Sequence, residues 1–252
     1  MKRFFVIVMA LSLFTMMLLS GCDSGNSEPT EAIIEETTAQ SDDGYDATSP
    51  KSAEWFNDAV FVGDSVTLKL DYYCDEHPEA LGKPSFYCAG SLGYNNALWD
   101  IDDSRAVHPY YEGETHLVED CVDVTGKDDV FIMLGMNDIG MYGTDGAMKG
   151  CQQVVSNLLK KSPNAHLYLQ SVTPMIESAQ IESFNNDLVR EFNAKLKTYC
   201  EENGYHYLDV YSVFADDKGN LPEDLCSDPD VMGLHFNDKA CQMWADYLKN
   251  NA

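Results

Sequence analysis

Three short stretches of the chain carry residue types that together could do acyl chemistry: Gly63-Asp64-Ser65, Gly135-Met136-Asn137-Asp138 and Gly233-Leu234-His235. Ser65 offers a hydroxyl nucleophile, and Asn137 offers an amide that can donate to a developing oxyanion. His235 offers an imidazole able to take and return a proton near neutral pH. The first stretch follows the apolar run 59–62 and the second follows 130–134, so each emerges from the end of a buried strand. Ser65 would sit at the start of a helix running from Val66 to about Tyr73, where free backbone N–H groups and the positive helix end favour an oxyanion. Gly90, after another strand-like run, would let a backbone N–H approach the same oxygen. Each residue alone has an ordinary use, Asp64 or Ser65 as a helix cap and Asn137 or Gly90 in a turn. In this order and context they imply ester chemistry. The other histidines, His77, His108, His116, His166 and His206, fall in polar segments or in strands and read as surface or packing residues.

The elements that must position these groups alternate strand and helix. Strands are predicted at 59–62, 85–89, 130–134, 166–172 and 205–210. One helix places Phe184, Leu188, Phe192 and Leu196 on a face, beginning near Ser183 and stopping at Gly204. Another spans about 146–161, and the last carries Ala240, Trp244, Tyr247 and Leu248 behind a cap at Asn237. The pattern predicts an α/β chain: a three-layer α/β/α sandwich with a five-stranded parallel sheet. In such sheets ligands bind beyond the carboxyl ends of the strands, where Ser65, Gly90 and Asn137 would all lie.

These blocks, in this order, resemble those of the SGNH (GDSL-type) hydrolase family over about residues 55–250. The resemblance implies a flavodoxin-like fold, Ser65 as nucleophile, His235 as base, and an oxyanion hole formed by the N–H groups of Ser65 and Gly90 with the Asn137 side chain. The family usually places an aspartate three residues before the histidine, and here that residue is Met232. Asp230 is the nearer replacement, reaching in from a longer loop. Asp228, followed by Pro229, is the alternative, and a Ser–His dyad the third possibility. The Gly-x-Ser-x-Gly pattern of α/β-hydrolases is absent, since Thr67 occupies its fifth position.

The amino terminus reads as an export signal over 1–22, with Lys2 and Arg3 before an apolar run that ends in Leu19-Ser20-Gly21-Cys22, which resembles a bacterial lipobox. Lipidation at Cys22 would anchor the chain to the extracytoplasmic face of the cell membrane. Residues 23–50 hold eight acidic residues and no Lys or Arg, the composition of a disordered tether. Residues 51–252 are then one hydrolase domain.

Forty-two acidic residues against 16 basic ones give a formal charge of −26, which loss of Lys2 and Arg3 takes to −28. Such a surface repels nucleic acid. Besides Cys22 there are seven cysteines with no zinc-type spacing, so no metal or other cofactor is expected. Two disulfides, Cys74–Cys88 and Cys200–Cys226, are expected in an exported protein, the second bracing the His235 loop.

Tyr94, Asn95, Asn96, Trp99, Tyr110, Tyr111 and Tyr142 fall near the predicted rim, and aromatics mixed with amides suit sugar faces and hydroxyls. The sequence therefore reads as a tethered serine esterase removing short acyl groups, acetyl foremost, from carbohydrate or related esters. Acyl transfer to a saccharide hydroxyl and a non-catalytic carbohydrate-binding lipoprotein are the rival readings.

Overall fold

A computed structural model describes residues 49–252. Cys22, the export signal and residues 23–48 of the acidic segment lie outside the described residues. In chain order the main elements are β1 (Ala59–Gly63), α1 (Ser65–Glu76), α2 (Pro78–Leu81), β2 (Ser85–Cys88), β3 (Tyr110–Tyr111) and β4 (Glu114–Thr115). There follow α3 (Cys121–Thr125), β5 (Asp129–Met133), α4 (Met136–Lys161), β6 (His166–Gln170), α5 (Asn186–Asn203), β7 (His206–Leu208), α6 (Tyr211–Phe214) and α7 (Asp238–Asn251). The strands form one sheet in the order β4-β3-β2-β1-β5-β6-β7. Helices α1, α2 and α7 pack together as one layer, and α4 packs on α5 as another. This is the three-layer α/β/α sandwich that the alternation of strands and helices predicts.

The sheet differs from the expected five parallel strands: it has seven and is mixed. The five expected strands are parallel, and β3 and β4 add an antiparallel edge hairpin. Two-residue strands leave no periodicity to read, and this hairpin turns through Glu112 and Gly113, both with positive φ.

Register is pinned by rings. Phe86, Phe61, Phe131, Tyr168 and His206 sit directly opposite one another on five adjacent strands. They stack in turn at centroid separations of 5.3, 4.7, 4.4 and 4.6 Å. A one-residue slip would turn an aromatic to the other face and break the stripe, so this row fixes where each strand ends. The ends of β1 and β5, which deliver Ser65 and Asn137, are thereby held level.

The helix ends follow their caps. Asn185 accepts from the N–H groups of Asp187 and Leu188 to start α5, and Gly204 closes it in the left-handed conformation. Asn237 accepts from Ala240 N–H to start α7. Helix α4 begins ten residues before the predicted 146, at Met136, because a break at Gly143 (φ 66°, ψ 173°) separates its first two turns from the rest. The expected disulfides do not form: all seven described cysteines are free. The Cys88 thiol instead donates to Phe61 O within the sheet, and that of Cys226 to an Asp228 carboxyl oxygen.

Candidate active site

Chain order reverses across β1, which has β2 on one side and β5 on the other, so a crevice opens beyond the carboxyl ends of β1 and β5. Ser65 stands at the first position of α1, directly after β1. The helix-start donors behind it are taken. Asp64 Oδ1 accepts from Val66 N–H at 2.9 Å, Thr67 N–H also donates to the Asp64 carboxyl, and Leu68 N–H donates to Asp64 O at 3.0 Å. That leaves the Ser65 N–H as the helix-start donor that meets no acceptor among the described residues, and it sits beside its own hydroxyl.

His235 comes from the loop before α7. Its Nε2 lies 2.8 Å from Ser65 Oγ and its Nδ1 2.7 Å from Asp228 Oδ2. The carboxyl partner is therefore Asp228, and the expected Asp230 is corrected: Asp230 is exposed to solvent. The reason lies in the loop. Pro229 favours an extended Asp228, and the Asp228 carbonyl closes the turn by accepting from Val231 N–H and Gly233 N–H, both at 3.0 Å. Residues 229–232 bulge outward, and Asp228 is brought back against 233–235. Gly233 makes the return possible. Its φ is +67°, and a Cβ there would fall 2.6 Å from Ile176 Cγ1.

Asp228 Oδ1 accepts from Leu234 N–H (3.2 Å), His235 N–H (3.1 Å) and the Cys226 thiol (3.3 Å), while Oδ2 is kept for the imidazole. Burial pushes this carboxyl up. The hydrogen bonds from the His235 side chain and backbone and from Cys226 outweigh that push and hold it below its usual range.

Asn137 is the second residue of α4, after Gly135 and Met136. Its Nδ2 donates to Asp64 Oδ2 at 3.2 Å and to Leu92 O at 3.0 Å. Asp64 thus joins both blocks, one oxygen capping α1 and the other holding the amide. Its carboxyl is pushed up to about 7, chiefly by burial. Asp138, next in the chain, is buried and accepts from Tyr94 N–H (2.8 Å), Asn95 N–H (2.9 Å) and Asn95 Nδ2 (2.9 Å), which ties the 92–95 segment to α4. Burial raises this carboxyl too.

Gly90 follows β2 with open space around it: a Cβ there would meet nothing within 4 Å, and its N–H donates to none of the described backbone carbonyls. The close contact with Asn137 comes from Leu92 O, and the sterically required glycine is Gly93, where a Cβ would fall 2.7 Å from Asp138 Oδ2.

Beside Asn137 opens a depression of about 380 Å³ lined by Ser91, Asn96, Trp99, Arg105, Met141 and Tyr142, with Asp138 at its base. The Arg105 guanidinium lies 5.2 Å from the centroid of the Trp99 ring and is gripped by Asp103 through Nε (3.0 Å) and Nη2 (2.7 Å). A larger concavity of about 620 Å³, lined by Asp71, Ser85 and Tyr110 among others, includes none of the catalytic set. Asn137 in its lining, rather than size, marks the smaller one as the candidate substrate site. Among the described residues no cluster of three or more His, Cys, Asp and Glu side chains could hold a metal ion.

A serine, a histidine and an aspartate joined in sequence on an α/β/α sandwich define a serine ester hydrolase. The chain belongs to the GDSL-like lipase/acylhydrolase family, whose model matches residues 61–243. No curated protein matches the sequence. Among solved structures, a GDSL-like lipase from Bacteroides thetaiotaomicron is 15% identical with a TM-score of 0.57, over 76% of this chain and 85% of that one. A carbohydrate esterase family 3 protein from Talaromyces cellulolyticus is 15% identical with a TM-score of 0.52, over 76% and 94%. An acetyl esterase bearing a serine-to-alanine substitution and an acetate ion is 14% identical with a TM-score of 0.50, over 74% and 92%. These likenesses concern the fold.

Proposed function

We propose that this protein removes short acyl groups, acetyl foremost, from O-acylated saccharides through an acyl-serine intermediate. The observation that carries the chemistry is the continuous chain Ser65 Oγ to His235 Nε2 (2.8 Å) and His235 Nδ1 to Asp228 Oδ2 (2.7 Å). Ser65 Oγ attacks the ester carbonyl and its proton passes to His235 Nε2. Asp228 stabilises the imidazolium and keeps Nδ1–H pointed away from the serine. The carbonyl oxygen, now negative, takes hydrogen bonds from the N–H groups of Ser65 and Gly90 and from Asn137 Nδ2, which keeps its bond to Asp64 and exchanges the one to Leu92 O. Collapse returns the proton from His235 to the departing alkoxide, leaving the acyl group on Ser65. Water then repeats the steps, with His235 as base, and releases the acid.

Three features support the substrate. The depression beside Asn137 is short and open, walled by Trp99, Tyr142 and Asn96, which suits a sugar ring and its hydroxyls more than a long acyl chain. Two of the structures with a similar fold are named as an acetyl esterase and a carbohydrate esterase. Lipidation at Cys22 would hold the protein at the extracytoplasmic face, within reach of envelope carbohydrate and of saccharides in the medium.

The test is fluorophosphonate labelling of the purified protein followed by turnover of a panel of acetylated sugars and p-nitrophenyl esters. Labelling at Ser65, loss of turnover in Ser65→Ala and preference for acetyl over longer acyl groups are expected. An unlabelled Ser65 rules out the hydrolase mechanism, and selectivity for long-chain esters overturns the saccharide assignment.

A further inference from the structure

The loop that carries His235 is built around a side chain whose chemistry the catalytic scheme does not use. Residues 225–227 and 235–237 lie side by side: Ser227 N–H donates to His235 O at 2.8 Å and Asn237 N–H to Leu225 O at 3.0 Å, and Cys226 bridges Phe236. Within this clip the buried Cys226 thiol reaches Asp228 Oδ1 at 3.3 Å.

We propose that Cys226 is a positioning residue for the catalytic acid, its thiol fixing the rotation of the Asp228 carboxylate so that Oδ2 stays committed to His235. This rests on the Ser65–His235–Asp228 reading above. A carboxylate can turn about its Cβ–Cγ bond, since that torsion is broad and has no deep staggered well. The two backbone donors on Oδ1, from Leu234 and His235, belong to one strand of the loop and are long for hydrogen bonds to a charged acceptor. The thiol comes from the other strand of the clip, so a turn of the carboxylate that spared the first two bonds would still break the third. Burial pushes the Cys226 thiol up to about 11, so at neutral pH it keeps its proton and acts as a donor rather than a second negative charge beside Asp228. A disulfide at this position would remove the donor, so the free thiol is the form that serves the site.

The experiment compares parent, Cys226→Ser and Cys226→Ala proteins, with Cys226→Val in place of the alanine variant if that one fails to fold. The readouts are kcat and KM on p-nitrophenyl acetate, fluorophosphonate labelling and the downfield proton resonance of His235 Nδ1–H. Loss of the donor should lower kcat about five- to tenfold, the size of one weak bond to a carboxylate, with KM changed by less than about twofold. The His235 resonance should move upfield and broaden, because a carboxylate free to turn holds the imidazole N–H less firmly. Cys226→Ser, which keeps a donor, should restore both rate and resonance. Parent-like kcat and resonance in the alanine or valine variant, or a serine variant no better than alanine, overturns the proposal. Failure of the parent to label at Ser65 would instead overturn the hydrolase reading.

Discussion

At the His235 loop the anchoring carboxyl, Asp228, collects four donors and is held below its usual range despite partial burial. At the Asn137 turn the anchoring carboxyl, Asp64, is fully enclosed, receives Val66 and Thr67 N–H and one amide, and is pushed up to about 7. The contrast follows from where each acid stands. Asp228 sits at a solvent-accessible rim beside an imidazole that becomes positive during turnover, so an ionised partner is what the chemistry needs. Asp64 lies beneath the oxyanion site, where a full negative charge would oppose the charge that develops on the substrate oxygen. Burial that moves Asp64 toward the neutral form removes part of that opposition while its oxygens still fix the helix start and the amide.

The comparison is broken most severely at Asp228. Asp228→Asn should lower kcat at neutral pH by about 10³–10⁴, because the amide cannot hold the imidazole in the required tautomer or stabilise its positive form. Asp230→Asn should stay within about twofold of the parent, since its side chain is exposed on the outward bulge. Steady-state kinetics on p-nitrophenyl acetate check both. A reversed order would mean that the loop re-forms in solution with Asp230 inward. Asn137→Ala should lower kcat by about 10²–10³, the loss typical of one oxyanion donor, with little change in KM. A steep rise in KM at constant kcat would place Asn137 on the ground-state substrate instead.

Asp228 also shows what could and could not be read from the chain. Ser65, Asn137 and His235 were legible because each lies next to a strand or helix whose apolar pattern is plain, so their place at one sheet edge followed from the fold. The acid was not, because it sits in an irregular loop whose path depends on tertiary facts: Gly233 packing against Ile176, and the Asp228 carbonyl closing the turn. Pro229 is a visible signal that restricts the Asp228 backbone, but it does not show that the Asp228 carbonyl closes the turn and leaves the carboxylate to the imidazole. Gly93 was hidden for a related reason: packing demands a glycine there because its neighbour Asp138 comes from a helix distant in sequence. The core was more transparent than the site, since the ring stripe from Phe86 to His206 draws one aromatic from each predicted strand. The edge hairpin and the break at Gly143 involve too few residues to leave a periodic trace.

A smaller rate effect than at Asp228 or Asn137 is expected at Asp64, and it separates stability from catalysis. An Asn at this position can still cap Val66 N–H through its oxygen, since Asn and Asp are comparable N-caps. Its other atom is then an NH₂ facing the Asn137 NH₂, donor against donor, and the oxyanion amide keeps only Leu92 O as an anchor. Asp64→Asn should therefore lower kcat about tenfold, the loss of one bond to a charged acceptor. Stability should move the other way, and with a defined pH dependence. The folded state raises the Asp64 carboxyl from an ordinary value of 3.8 to about 7, so it binds the proton more tightly than the unfolded chain does. That contribution is fully present below about pH 4 and is lost as pH rises toward 7. The asparagine variant has no such loss, so its melting temperature relative to the parent should be higher at pH 8 than at pH 4. Thermal unfolding at the two pH values measures the difference. A gap that stays constant with pH would show that Asp64 is already ionised without cost in the folded protein, and an unchanged kcat would show that Leu92 O alone suffices to hold Asn137.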